Sequence, residues 1–308
     1  MQPTPRDWQI CQALFRYKFL LTSQIRDVVL AHDADCSITR RRLRRMEYGK
    51  LVRRRGAELG NTPNITTAPI WTLTEHGACR LGTETGDERY FTFQEPKSPW
   101  INLTHNVRCS QVAILMDQAL VKQDRLRITA LYFESDVIRV EANSTSQRCK
   151  LFTEIETASK KVVCAPDFGF EIEAGTQRRG YLCELETGSD GSPARIAARK
   201  SPGIAALAAT QKWKEIFPQA TSFAALMFVP HAGWRNALRK AMQDKPGAEL
   251  WRFAAVNELT ADNFFSSPVF YTVNEGPRSF VGGIGSQVPE AVPVCPSSLG
   301  PGNGQSGR

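Results

Sequence analysis

The strictest condition on the fold comes from residues 181–187, Tyr-Leu-Cys-Glu-Leu-Glu-Thr. A strand sends alternate side chains to opposite faces, so Glu184 and Glu186 share one face with Leu182. Two carboxylates on an otherwise apolar face repel each other and lose hydration unless a cation joins them. Upstream, residues 162–173 read as a strand bent at Pro166-Asp167, and Gly175 and Gly180 bracket the turn between the two strands. The pair is expected to run antiparallel, with Asp167 near the carboxylates. Three oxygen ligands with room for water suit magnesium or manganese. Such an ion would hold a phosphodiester, polarise its phosphorus and acidify an attacking water, while a lysine steadied the developing charge. Plainer readings stand beside this one. A Pro-Asp pair is also an ordinary turn, and alternating charge is normal on a solvent-facing edge strand.

Around this hairpin the pattern alternates. Residues 103–121 read as a helix and 126–133 as a strand; after the hairpin come a helical stretch at 192–217, a buried strand at 222–229, an amphipathic helix at 234–242 and a strand at 250–256. The order is that of an α/β domain with a mixed, α+β sheet. Pro202 is expected to interrupt the first of these later helices, just after Lys200. Lys200 is then either a solvated helix lysine or the helper of the carboxylates.

The N-terminal third reads differently. A helix over 6–17 carries Trp8, Ile10, Cys11, Leu14 and Phe15 at helical spacing. Thr22 and Ser23 cap a second helix, and a third runs from Ser37 to about Gly49. Residues 51–55 and 68–73 then pair as a hairpin whose loop would be a wing. This is the order of a winged helix-turn-helix, with the third helix placed to enter a major groove. Between residues 40 and 55 stand nine cations (Arg40, Arg41, Arg42, Arg44, Arg45, Lys50, Arg53, Arg54, Arg55) and one acid, Glu47. A solvated face is the ordinary fate of a charge run, but this density favours DNA phosphates. If about six contacts form, the log–log salt slope of binding would be about −5. Tyr17, between Arg16 and Lys18, is either a core aromatic or a phosphodiester nucleophile, with Tyr48 as its competitor.

The chain has 308 residues with 42% hydrophobic and 23% charged side chains, which excludes a wholly disordered or rod-like chain, and its net charge is +8. No apolar run approaches the roughly 20 residues of a membrane span. Charged residues also break up the first 25 positions, so a signal peptide and a membrane partner are not expected and a cytoplasmic location is. Eight cysteines without a CxxC pair read mostly as buried free thiols. His105 and Cys109 lie four apart on a predicted helix and could share a soft metal, although no further ligand pair is evident near them; His105 is otherwise a cap, a packed side chain or an approach to the carboxylates. The expected division is a DNA-binding domain at 1–85, a linker at 86–102, a catalytic domain at 103–272 and a flexible tail at 273–308.

Pro166-Asp167, Glu184-Leu-Glu186 and Lys200 on the following helix together resemble the PD-(D/E)XK nuclease pattern, with the lysine moved from the strand to the helix. With the N-terminal helices, Thr104-His105 and Arg199-Lys200, the chain resembles the plasmid replication-relaxation family and the MobC-type relaxases over roughly residues 4–256. The resemblance implies a restriction-endonuclease-like fold and a metal-dependent protein that nicks DNA at a plasmid origin, with Asp167, Glu184 and Glu186 as magnesium or manganese ligands, Lys200 as helper and His105 as an accessory. The implied partners are origin DNA, duplex and locally single-stranded, and a mobilisation accessory or coupling protein. Two other readings stay open: a non-catalytic origin-binding regulator with a degenerate nuclease domain, and a homodimeric endonuclease that cuts both strands.

Overall fold

A computed structural model describes residues 2–55, 68–96, 102–139, 147–157, 161–188 and 191–280. Helix α1 (Pro5–Tyr17) starts at a reciprocal cap: Asp7 accepts the Thr4 amide at 2.8 Å while the Thr4 hydroxyl accepts the Asp7 amide at 3.4 Å. After β1 (Leu20–Leu21) and α2 (Thr22–Val29), Asp33 takes the amides of Ile38 and Thr39 at 3.3 and 2.7 Å and so starts α3 (Ser37–Tyr48). Strands β2 (Val52–Arg55) and β3 (Ile70–Leu73) pair antiparallel, with β1 on the other edge of β3, and α4 (Glu75–Thr85) follows. The three helices and the hairpin come in the expected order, but β1 and α4 were not expected, and the loop expected as a wing lies outside the described residues.

The stretch expected as a linker is packed over its described part. Tyr90 is buried with its ring edge-on to Phe15 at 4.6 Å, and Glu95 pairs with Arg53 at 2.9 Å. Apolar contact, which weak periodicity hides, holds this segment against α1.

Helix α5 (Leu103–Leu120) joins the N-terminal unit to the rest of the chain. Asp117 receives Arg16 at 2.5 Å and the Tyr17 hydroxyl at 2.5 Å, the Ser110 hydroxyl donates to the Tyr17 carbonyl at 2.7 Å, and the Gln24 amide donates to Gln111 at 2.8 Å. These are directional bonds across a largely buried contact, so the helix can neither rotate nor slide without losing them.

A seven-stranded mixed sheet forms the body of the protein. Its strands are β4 (Leu126–Phe133), β9 (Phe168–Ala174), β10 (Gln177–Leu185), β11 (Ser222–Val229), β12 (Trp251–Ala255), β13 (Phe270–Thr272) and β14 (Pro277–Arg278), and the spatial order is β14-β13-β12-β11-β10-β9-β4. The central pairs β10–β11 and β11–β12 are parallel and the flanking pairs antiparallel. Parallel strands need helical crossovers. These are α6 (Pro193–Ala209) with α7 (Trp213–Ile216), and α8 (Ala232–Met242). Two small antiparallel hairpins, β5 (Val137–Arg139) with β6 (Gln147–Cys149) and β7 (Thr153–Glu156) with β8 (Lys161–Cys164), complete the strands among the described residues. One face of the sheet, with Phe168, Phe170, Cys183 and Phe228, packs in the cluster that includes α5 residues; the other, with Leu182, Ala225 and Met227, packs on α6 and α8.

Four details differ from the sequence expectation. The strand expected over 162–173 is two: β8 pairs with β7, and the chain enters the main sheet only at Phe168, so Asp167 sits at the break. The turn shrinks to Gly175-Thr176, because Gly175 takes φ 62° and lets Gln177 pair directly with Ala174. Helix α6 runs through Pro202 without ending. Part of the stretch expected as a tail is packed: Phe280 is buried with its ring 4.6 Å from that of Tyr181, and burying such a side chain is worth roughly 1.5–3 kcal/mol.

A candidate metal-binding site at the end of the sheet

The polar cluster lies where β4 and β10 end and β9 begins, on the carboxyl side of the parallel strands, the usual location of sites in open α/β sheets. Asp167 is anchored by backbone: its amide donates to the Cys183 carbonyl at 3.0 Å, and its Oδ2 accepts the Leu185 amide at 2.7 Å. Its Oδ1 faces His105 Nε2 at 3.2 Å, bringing α5 to the strand end.

Glu184 and Glu186 are each only 3% exposed. They are not on an edge strand: β10 is covered on both sides, with Glu184 opposite Met227 and the Glu186 amide donating to the Phe228 carbonyl at 2.8 Å. Lys200, on α6, forms a salt bridge with Glu184, and Arg199 approaches Glu186 at 3.4 Å. Helix α6 comes close because residue 203 is glycine; a Cβ there would lie 2.7 Å from the Val163 carbonyl oxygen. The same close approach brings Lys200, one turn earlier, to the carboxylates.

Charge in the cluster is unevenly satisfied. Burial, then the nearby Asp167 charge, push Glu184 up to about 8 in spite of Lys200. Burial also opposes ionisation of Asp167, yet the hydrogen bond and charge of His105, then Lys200 and the Leu185 amide, hold it below the usual carboxylate range. Burial acts against charged Lys200 too, but Glu184 and Asp167 outweigh it and keep the ammonium protonated. One lysine thus serves two carboxylates, and Glu184 retains the proton that a second cation would replace. Glu134, just past β4, is a further member that the sequence reading missed: burial first and Asp167 second raise its carboxyl, while His105 and Lys200 lower it. Its signal, an acid at the end of a strand, is too common to single out without the fold.

The three carboxylates proposed as ligands do not draw together as a trio. Among the described residues, the set of three whose ligand atoms lie within 4.8 Å of one another is His105, Cys109 and Asp167. Glu184 is engaged by Lys200, and Arg199 draws on Glu186.

Tyr17 does not have the form of a nucleophile. It is buried, donates to Asp117 and lies in the contact between α1 and α5; burial and the Asp117 charge hold its phenol far above its ordinary value. Tyr48, at the end of α3, is 90% exposed.

The arginine run divides in two. Arg42 and Arg45 reach Asp7, which is fully buried, at 3.0 and 2.7 Å, and Arg53 and Arg55 face Glu95 at 2.9 and 4.0 Å. Arg40, Arg41, Arg44 and Arg54 are exposed and enter none of the ion pairs among the described residues. Half of the expected phosphate contacts are thereby also structural ties. Cys11, Cys109, Cys164 and Cys183 are buried free thiols, whereas Cys79 and Cys149 are exposed.

Together these features define a mixed α/β protein with a basic helical unit docked on a domain that carries buried carboxylates. The chain belongs to the replication-relaxation family, which matches it over residues 12–219, more than half its length. Membership associates it with plasmid replication or mobilisation and with DNA. No curated protein matches the chain. Among the described residues no helix is long and apolar enough to cross a membrane.

Proposed function

We propose that this protein is a metal-dependent DNA strand-nicking relaxase acting at a plasmid origin. One observation carries the reading: buried Glu184 and half-buried Asp167 stand together at the carboxyl end of the sheet, Lys200 pairs with Glu184 and acts on the charge of both, and burial with the Asp167 charge still pushes Glu184 up to about 8. Buried carboxylates of this kind cost stability unless a function retains them. Their oxygen donors fit magnesium or manganese, and we assign Asp167 and Glu184 to hold the ion, with Glu134 and Glu186 flanking it. The ion would supply Lewis-acid polarisation of the scissile phosphoryl group. Lys200 then places its ammonium beside the developing phosphoryl charge, and His105 steadies Asp167. Arg40, Arg41, Arg44 and Arg54 hold the duplex by its phosphates. If the cut end stays attached to protein, exposed Tyr48 is the tyrosine that can reach it; Tyr17 cannot do so without leaving its packing.

The rival reading, a non-catalytic origin-binding regulator, is favoured by one feature: Lys200 and Arg199 lie against Glu184 and Glu186 and offset their charge from within the fold. The deciding experiment incubates wild-type and Glu184→Gln protein with supercoiled plasmid carrying its origin, in magnesium, manganese or EDTA, before and after protease digestion. Metal-dependent open circles lost in the variant establish nicking, and protein retained on the DNA makes it a relaxase. Intact supercoils in every lane, with DNA still bound, establish the regulator.

A further inference from the structure

We propose that His105, Cys109 and Asp167 form a three-ligand site for a borderline transition ion of the zinc class, distinct in chemistry from the magnesium or manganese site assigned to Asp167 and Glu184. The inference stands on its own geometry. It rests on the nicking reading only in its consequence, that such an ion would draw Asp167 away from the carboxylate cluster.

His105 and Cys109 are four residues apart on α5 and so project from one helical face. The third ligand comes from the other side of the sequence gap: Asp167 is fixed at the start of β9 by the Leu185 amide on Oδ2, which leaves Oδ1 toward the helix. His105 Nε2 lies 3.2 Å from Asp167 Oδ1 and 3.5 Å from Cys109 Sγ. A single ring nitrogen carries either one proton or one lone pair, so it cannot make a full hydrogen bond to both neighbours. One ion among the three atoms satisfies all of them.

The two separations made by His105 are those of edges of a tetrahedron, and the third atom pair also lies within 4.8 Å. With zinc–nitrogen and zinc–oxygen bonds of about 2.0–2.2 Å and a zinc–sulfur bond of about 2.3 Å, adjacent ligand atoms fall about 3.3 Å apart for nitrogen to oxygen and about 3.5 Å for nitrogen to sulfur. Both match the observed separations. A thiolate with an imidazole selects zinc, cobalt or similar ions over magnesium, which takes oxygen. The backbone bond to Asp167 is the kind of outer support that holds such a ligand in place. Three protein ligands also leave a fourth position, as in zinc sites that bind water or substrate.

The test adds cobalt(II), then zinc, to the full chain and follows the near-ultraviolet thiolate-to-cobalt charge-transfer band. Wild type is expected to show the band and lose it on displacement by zinc. Cys109→Ala and Asp167→Asn are expected to weaken zinc binding at least about 100-fold, with far-ultraviolet circular dichroism checking that each variant is folded. Cys183→Ala and Cys79→Ala are expected to keep the band. Glu184→Gln is also expected to keep it while losing magnesium-supported nicking, which separates this site from the nicking reading. If Cys109→Ala is unfolded, His105→Gln decides in its place. A folded wild type without the band, or a band that survives in folded Cys109→Ala or His105→Gln, overturns the proposal.

Discussion

The two charged regions of this protein solve opposite problems. On α3 and β2 a dense positive run lies at the surface, where water screens it, and buried or partly buried acids, Asp7 and Glu95, tie down only part of it. At the end of the main sheet the carboxylates are inside, where water cannot help, and each must find a cation from within the fold. Surface cations are exchangeable and give salt-dependent binding, whereas buried acids are strongly coupled, so changing one alters the protonation of its neighbours. A DNA-facing surface needs the first property and a metal-holding site the second.

The sharpest break in that comparison is functional. Glu184→Gln should reduce metal-dependent plasmid nicking at least about 100-fold while DNA retention on a filter is unchanged, because Glu184 and the exposed arginines share no contact. Equal loss of both would join the two regions into one.

Next in size are stability effects. Asp7→Ala removes the side-chain half of the α1 capping box and leaves Arg42 and Arg45 without their buried acid, a cost of about 2–3 kcal/mol read as a lowered denaturation midpoint. Burial would raise Asp7, but Thr4 and then Arg42 and Arg45 hold it low. Its contribution is therefore present above the ordinary carboxylate range and lost as pH falls through the depressed folded value, so the gap between variant and wild type should close in acid. Gly203→Ala should cost about 1–3 kcal/mol, because α6 must retreat from β8, and should weaken nicking as Lys200 moves with it.

The inner cluster gives the opposite pH behaviour. Folded Glu184 keeps its proton to about 8, while in the unfolded chain it releases it near the ordinary 4.5. Between those values the folded state binds more protons, so stability falls as pH rises. In EDTA, Glu184→Gln should gain several degrees in Tm over wild type between pH 5 and pH 9; a constant difference would show that Lys200 alone balances the site.

The smallest effect sharpens the surface side. With four arginines outside the intramolecular pairs, the log–log salt slope of DNA binding should be about −4, below the −5 that about six contacts would give. Arg41→Ala or Arg44→Ala should each reduce it by about 0.9, whereas Arg42→Ala should act mainly on stability.

Much of this was legible locally. The apolar stripe of α1, the strand alternation of Glu184 and Glu186 and the helical setting of Lys200 are short-range patterns, and each appears in the structure, whereas the cap expected from Thr22 and Ser23 does not: both lie inside α2 and Leu21 holds the cap position. The misreadings involve partners distant in sequence. Pro202 does not stop α6, whose neighbouring Ser201 hydroxyl bonds the Pro246 carbonyl. Tyr17 looked activated by its flanking cations, but its partner is Asp117, a hundred residues away. Phe280 looked like part of a tail rich in glycine and proline because its aromatic neighbours come from other strands.

By itself the sequence determined most of the helices and strands, where positive charge is dense, and that two carboxylates must share a strand face, because periodicity and pleat are set by residues a few positions apart. Only the tertiary structure decided that β10 is central and its carboxylates buried, that half of the arginine run is tied to Asp7 and Glu95, and that Asp167 comes to His105 and Cys109. Those outcomes depend on which strands pair and which helix faces meet, and burial, charge coupling and ligand distance exist only once they have done so.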